Sequence, residues 1–290
     1  MSIEPARSTQ RGDMATIDSS RRAERDRLVA GASIQDGRRE ETTIALLDPI
    51  GEEYRRAFSL FLAHTDQKDV ARVHLTDVVA QLPEHHVFLD VGAGSGRITR
   101  WFTESFEQTI AIEPSPHMRE QLAQACPTAR IIPDTIMNAE PGVRADFVLC
   151  SHSFYYVPAD RWATHLRRML GWLSDGGEMV LILQNPRSDC MEMVHHFSGQ
   201  RIDIGELVQL VHGEPDGADY SVRLETLPSL IETPDVGTAI TIAEFIVNLI
   251  PLDEPPPYQE VRDYVQRHFA DPSDRCRLTC SQDFVRIRRR

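Results

Sequence analysis

The stretch Val87-Phe88-Leu89-Asp90-Val91-Gly92-Ala93-Gly94-Ser95-Gly96 leaves this chain little freedom in how it folds. An apolar run ending at Asp90 reads as a buried strand, and the glycines after it read as a tight turn. Residues 97–106 look helical, and a second apolar run, Thr109-Ile110-Ala111-Ile112, ends in Glu113. Strand, glycine turn, helix and strand, with an acid at the tip of the second strand, is the opening unit of a parallel α/β sheet. Residues without Cβ atoms let a ligand approach the main chain closely. A carboxylate about 20 residues further on can accept both hydroxyls of a ribose. These residues therefore describe a site for a molecule that carries adenosine.

The glycine spacing narrows the choice. A dinucleotide fingerprint, G-x-G-x-x-G, needs a glycine at position 97, where this chain has Arg97. The third glycine is Gly96, which argues against a nicotinamide-dependent oxidoreductase. The pattern G-x-G-x-G preceded by Asp90 resembles motif I of the class I S-adenosylmethionine-dependent methyltransferases. In that family the turn wraps the methionine part of the cofactor.

A chain of 290 residues holds one large α/β domain, or one domain with an embellishment. Its formal net charge of −13 gives no electrostatic support for a nucleic-acid or anionic-membrane partner. Five cysteines, at 126, 150, 190, 276 and 280, form no disulfide framework, and Cys276 and Cys280 lack the second pair a zinc site would need. No metal is expected. Without an apolar run near the ~18 residues of a membrane span, and without a signal sequence, a cytoplasmic location is expected. Lys68 is the single lysine beside thirty arginines, which reads as the codon usage of a GC-rich bacterium.

Residues 1–43 are polar and read as a disordered or loosely helical tail. Residues 44–82 form two helices over the active site, with Tyr54, Phe58, Phe61 and Leu62 on the first and Val70, Val73, Leu75, Val78, Val79 and Leu82 on the second. Thr65 or Asp66 caps the second. Residues 83–290 carry the main domain. Further helices are expected over 115–125, 159–173 (stopped by Asp175-Gly176-Gly177), 189–197, 203–211, 240–249 and 258–269. Further strands are expected over 129–132, 146–150, 178–183, 220–225 and 277–287. Segments 187–218 and 240–270 interrupt the alternation and are assigned to the substrate side, the first as a lid.

In order, these pieces are similar to the class I methyltransferase fold, a Rossmann-like seven-stranded α/β sheet with N-terminal helices and a helical lid insertion. A closer resemblance is to the histamine N-methyltransferase-like group. The segment from Tyr54 through Phe58, Phe61 and Leu62 to His64 looks like that group's Y-x-x-x-F-x-x-F-L-x-H. Glu113-Pro114-Ser115 matches its E-P-S, Phe154-Tyr155-Tyr156-Val157 its L-Y-Y-V, and Asp283-Phe284-Val285-Arg286-Ile287 its terminal strand. The resemblance implies S-adenosylmethionine as cofactor, held by Asp90, Gly92, Ala93, Gly94, Gly96, Glu113, Pro114, Ser115, Met118, Ser151 and one or both of Asp134 and Thr135.

It also implies a small-molecule acceptor, most directly an amine or imidazole, with O- or C-methylation as the alternative and a non-catalytic cofactor-binding protein as the other. The acceptor would meet Tyr54, Phe58, Gln67, His152, Tyr155 and Cys280, in a monomer or homodimer. Gln67 stands where the group has an acid that holds the amine, and Cys280 falls near its amine-binding asparagine. The lost carboxylate argues against histamine itself. His152, whose reference pKa lies near neutrality, is the candidate base, and Tyr155 and Tyr156 offer hydroxyls and ring faces.

Overall fold

The computed structural model describes residues 43–48, 51–252 and 254–290; all but the last residue of the expected tail lies outside them. Two helices lead, α1 (Glu52–His64) and α2 (Gln67–Ala80), followed by β1 (Val87–Val91) and β2 (Gln108–Ile112). Then come α3 (Pro116–Ala125), β3 (Arg130–Ile132), β4 (Ala145–Ser151), α4 (Trp162–Leu170) and β5 (Leu173–Gln184). After α5 (Asp189–Ser198) and α6 (Glu206–Gly213) the chain forms β6 (Tyr220–Leu227), β7 (Leu230–Thr233), α7 (Val236–Val247), α8 (Tyr258–Phe269), β8 (Cys276–Thr279) and β9 (Gln282–Arg289).

Seven strands make one sheet in the order β3-β2-β1-β4-β5-β9-β6, and β7 pairs with β8 in a separate ribbon. The first five run parallel, while β9 lies antiparallel between β5 and β6. This is the expected Rossmann-like seven-stranded architecture. Strands β1 and β4 are buried almost throughout, as continuous apolar runs in a doubly covered parallel sheet must be. Phe88, Phe102, Phe106 and Phe147 fill one face as a cluster of rings. The register sets Val91 beside Ile112 and Asp90 beside Leu149, so the C-terminal tips of β1, β2 and β4 open side by side. In open α/β sheets that edge is where ligands bind.

Several local expectations fail for physical reasons. Residues 97–106 form only one 3-10 turn, Thr99–Trp101, because Thr99 donates its hydroxyl hydrogen to Asp90 (2.6 Å) and Ile98, Phe102 and Phe106 are drawn into the ring cluster. The helix expected over 159–173 ends at Leu170: Leu173 already pairs with Ala145, and Asp175-Gly176-Gly177 is an irregularity within β5 rather than a helix stop. The last strand divides at Cys280-Ser281, where the Cys280 amide donates to the Ser229 carbonyl, so β8 and β9 join different sheets. Asp66 does not cap α2: its Oδ1 accepts from the Leu230 amide (2.8 Å), and the Thr65 hydroxyl accepts from the Gln67 amide (3.2 Å). Asp203, expected to open the helix over 203–211 as its N-cap, accepts from the Gly205 amide and precedes α6 without capping it. Among the described residues no helix is long and apolar enough to cross a membrane.

Candidate active site

A cavity of about 640 Å³ opens at the tips of β1, β2, β4 and β5 under α1 and the C-terminal half of α7. In the turn after β1, Gly92, Gly94 and Gly96 all have left-handed backbone, with φ of 71°, 55° and 79°, and the first two line the cavity floor. Their reasons for being glycine differ. A Cβ on Gly92 would sit 2.1 Å from Ser153 Oγ, and one on Gly96 2.8 Å from Leu122 Cδ1. Beside Gly94 nothing lies within 4 Å. Gly94 therefore presents bare main chain to the cavity, whereas Gly96 seats α3 against the turn and does not line the cavity, which corrects its assignment as a cofactor contact.

Glu113 organises this floor. Its Oε2 accepts from the Gly94 amide and its Oε1 from the Ser115 amide, each at 2.8 Å, with the side chain in the cavity wall and only 7% of the residue exposed. One acceptor site on each oxygen is used by the protein; the second remains for a ligand. Ser115 in turn caps α3 by accepting from the Met118 amide, with Pro116 at the first helical position. Ala93, Pro114, Met118, Asp134, Thr135 and Ser151 line the same space, and Ser151 Oγ is buried without a partner. A bare turn, a carboxylate with acceptor capacity left and an unpartnered hydroxyl are a fit for an adenosine-bearing cofactor. Asp90 is 3% exposed beneath them; burial, reinforced by Glu113, pushes its carboxyl up to about 7, against the Thr99 hydrogen bond and Lys68.

The other end is aromatic. Tyr54, Phe58 and Phe61 of α1 pack on Phe245 of α7 with ring centroids 5.3, 5.5 and 5.4 Å away. The Tyr155 ring lines the cavity, but its hydroxyl oxygen accepts from the Gln184 amide (2.8 Å), and burial drives its pKa far above the ordinary phenol range. That hydroxyl is a structural acceptor, not an acid–base group. Tyr156, 61% exposed, stands at the rim beside Tyr54, whose own pKa is raised by burial.

His152 has φ 57°, a left-handed conformation that turns the chain out of β4 and is uncommon outside glycine. Its amide still donates to Ile182, so the ring is held at the sheet edge, 2.8 Å from the side-chain amide nitrogen of Gln282. Burial first, and the charge of Lys68 second, hold its pKa well below the usual imidazole range.

Two acceptor-side expectations are corrected. Gln67 lines the cavity, but its amide donates to the carbonyl and the sulfur of Cys280 (3.3 Å each), so Cys280 lies behind it and does not line the cavity. No residue of 187–218 lines it either: α5 buries Cys190, Met191, Met193 and Val194 and packs on α7 and β8, while α6 packs on α4 and β6. The roof is α1 with α7, whose Phe245 and Leu249 come from the second substrate-side segment.

Four residues of the site have no motif in the sequence: Lys68, Arg97, Gln184 and Gln282. Lys68 stands in the cavity wall near Asp90, Arg97 and Cys280, with its pKa brought down to about 8 by burial first and Arg97 second. A lone lysine directly after Gln67 was the available signal.

A family model described as a methyltransferase domain matches residues 62–214, more than half of the chain. No curated protein matches the sequence. Among solved structures, a Bacillus halodurans protein provisionally assigned as a methyltransferase is 12% identical, with a TM-score of 0.54 over 75% of this chain and 97% of its own. The YcgJ protein of Bacillus subtilis is 14% identical, with a TM-score of 0.53 over 76% and 98%. The plantazolicin methyltransferase BpumL, solved with S-adenosylhomocysteine, is 13% identical, with a TM-score of 0.51 over 96% and 100%.

Proposed function

The chain belongs to the methyltransferase-domain family and is an S-adenosylmethionine-dependent methyltransferase, and on that premise we propose that its acceptor is a small, flat, largely apolar molecule. The observation that carries this reading is one continuous cavity whose floor is Gly94 and Glu113, whose roof is Tyr54, Phe58 and Phe245, and whose wall between them holds His152. We assign Glu113 to the ribose hydroxyls, Gly94 and Ala93 to the methionine portion, and Asp134, Thr135 and Ser151 to the adenine end.

S-adenosylmethionine supplies an electrophilic methyl on a sulfonium, which a nucleophile displaces in line without a metal or a covalent enzyme intermediate. The residues around it would serve to hold the acceptor's lone pair in line with that methyl. The Tyr54, Phe58 and Phe245 rings set the plane of a flat acceptor and exclude water. His152, neutral in its buried setting, accepts a proton from the attacking group. With the Gln282 amide turned so that its otherwise unpartnered Oε1 accepts from Nε2–H, the ring's open lone pair is on Nδ1.

The histamine N-methyltransferase-like assignment also belongs to this proposal. Its support is that Tyr54, Phe58, Phe61, Glu113-Pro114-Ser115 and Tyr155-Tyr156-Val157, which carry the resemblance, all line the cavity. That favours an amine or imidazole as the second reading of the acceptor. Calorimetric titration with S-adenosylmethionine, followed by mass analysis of products from a panel of phenols, amines, imidazoles and short peptides, tests the function. Donor binding with transfer to a peptide alone would refute the small-molecule acceptor.

A further inference from the structure

The charges on the cavity wall are unevenly placed. Its carboxylates, Asp90, Glu113 and Asp134, each accept from a protein donor: the Thr99 hydroxyl, the Gly94 and Ser115 amides, and the Thr135 amide. All three stand at the tips of β1, β2 and β3, on the floor assigned to the cofactor. Among Tyr54, Phe58, Phe61, Gln67, Tyr155 and Phe245 there is no carboxylate; the cationic side chains that line the cavity are Arg55, which bonds His117, Arg97, and Lys68, in the first turn of α2 directly after Gln67.

Lys68 has no hydrogen-bond or ion-pair partner within contact distance among the described residues. Asp90 offsets its charge only through space, without a contact ion pair, so an anion that reaches this half-buried ammonium from the cavity is favoured. The same charge repels a cationic acceptor and attracts an anionic one.

We propose that the acceptor is methylated as an oxyanion, from a phenolic or enolic hydroxyl, and that Lys68 is the residue that binds this oxyanion. The inference rests on the methyl-transfer reading above and names its substrate class. The hydroxyl proton passes to His152. The oxygen lone pair forms the O–C bond as the S–C bond breaks, and the pair from that bond stays on sulfur, leaving an ether and a thioether. His152 then returns its proton to water. Lys68 stabilises the anion before attack, and the ring walls of α1 and α7 stack the flat body of the molecule. Although burial lowers its pKa to about 8, Lys68 still carries its charge at neutral pH.

The test uses the full chain saturated with S-adenosylhomocysteine and titrated with 4-nitrophenol, whose phenolate is coloured, at a series of pH values. In the wild type the bound phenol ionises about tenfold more readily than the free one, a shift of about one pH unit. Lys68→Met abolishes the shift, Lys68→Arg keeps most of it, and both bind S-adenosylhomocysteine within twofold of wild type. Retained binding and shift in the arginine variant separate the role of charge from a folding defect in the methionine variant.

The proposal is overturned if nitrophenol shows no saturable binding, or binds without a shift. It is also overturned if Lys68→Met weakens S-adenosylhomocysteine about tenfold while the phenolate shift persists, which would place Lys68 on the cofactor's own carboxylate. Transfer to amines with none to phenols overturns it as well. A wild type that fails to bind S-adenosylhomocysteine brings down the methyl-transfer reading itself, and the inference with it.

Discussion

Replacing Glu113 with glutamine separates two roles that a simple ligand contact would merge. The carboxylate holds the Gly94 and Ser115 amides at 2.8 Å through its two oxygens, so it shapes the glycine turn before any cofactor arrives. Glutamine can accept only one of these amides, and its NH₂ group then faces the other, donor against donor. Losing one charge-assisted hydrogen bond in this nearly closed position costs about 2 kcal/mol, within the 1.5–3 kcal/mol range for bonds to charged groups. For a chain of this size that lowers the melting temperature by roughly 4–8 °C.

The same substitution removes the second acceptor sites meant for ribose, so S-adenosylhomocysteine affinity falls about tenfold to hundredfold. Thermal unfolding by circular dichroism without ligand, and calorimetry with it, read the two effects independently. If the ligand-free melting temperature stays within about a degree of wild type while affinity collapses, Glu113 is only a ligand contact and the account of the turn is wrong. If neither quantity moves, the ribose assignment falls too.

The remaining substitutions probe the floor and the base. Gly94→Ala should leave a folded protein, destabilised by about 1–2 kcal/mol for its left-handed backbone, yet with markedly weaker donor binding. Gly92→Ala should fail chiefly in stability, because its Cβ meets Ser153; equal melting temperatures for the two would refute the division of labour. Asp90→Asn should stabilise the ligand-free protein in a pH-dependent way. The folded-state pKa of about 7 lies above the unfolded value near 3.8, so the folded state keeps a proton the unfolded chain has released. Wild-type stability thus declines as pH rises between those values. The variant's advantage is absent below about pH 4 and reaches at most about 4 kcal/mol above about pH 7; parallel melting curves across that window would contradict it. His152→Asn, a residue tolerant of the left-handed backbone, should lower kcat by about 10²–10⁴ with donor affinity unchanged. Because the His152 pKa is depressed, wild-type activity should persist on the acid side below the usual imidazole range; an ordinary imidazole titration would argue against it as the base.

That the glycine turn, Glu113 and the start of α3 come together was legible because those signals are local. Glycines, a strand-end acid and a Ser-Pro helix start lie within a few tens of residues, and each has one dominant physical use. The acceptor half was only partly legible. Tyr54 and Phe58 showed through as a helical stripe, but their ring partner Phe245 is nearly two hundred residues away, on a helix apolar almost all round. Cys280 could be placed near the site from resemblance, yet only the fold shows Gln67 standing in front of it. The 187–218 helices look like an insertion in order along the chain, and their apolar faces do not say which surface they cover. Gly176 and Gly177 were read as a stop signal although tertiary pairing carries the strand through them. Lys68 is hidden in the sequence because nothing local marks a single lysine as facing a cavity.

The links that close the acceptor end span great distances along the chain. Thr65 donates to Leu230, Gln67 to Cys280, and His152 meets Gln282, at separations of 165, 213 and 130 residues. Such long-separation contacts form late, because the entropy of closing the intervening loops must be overcome first. The glycine turn needs only neighbouring segments and can become protected early in refolding. Pulse-labelled hydrogen exchange should therefore find amides of β1 and β2 guarded before those of β7 to β9. A chain interrupted at that stage would grip its methyl donor with nothing yet built to receive the methyl group.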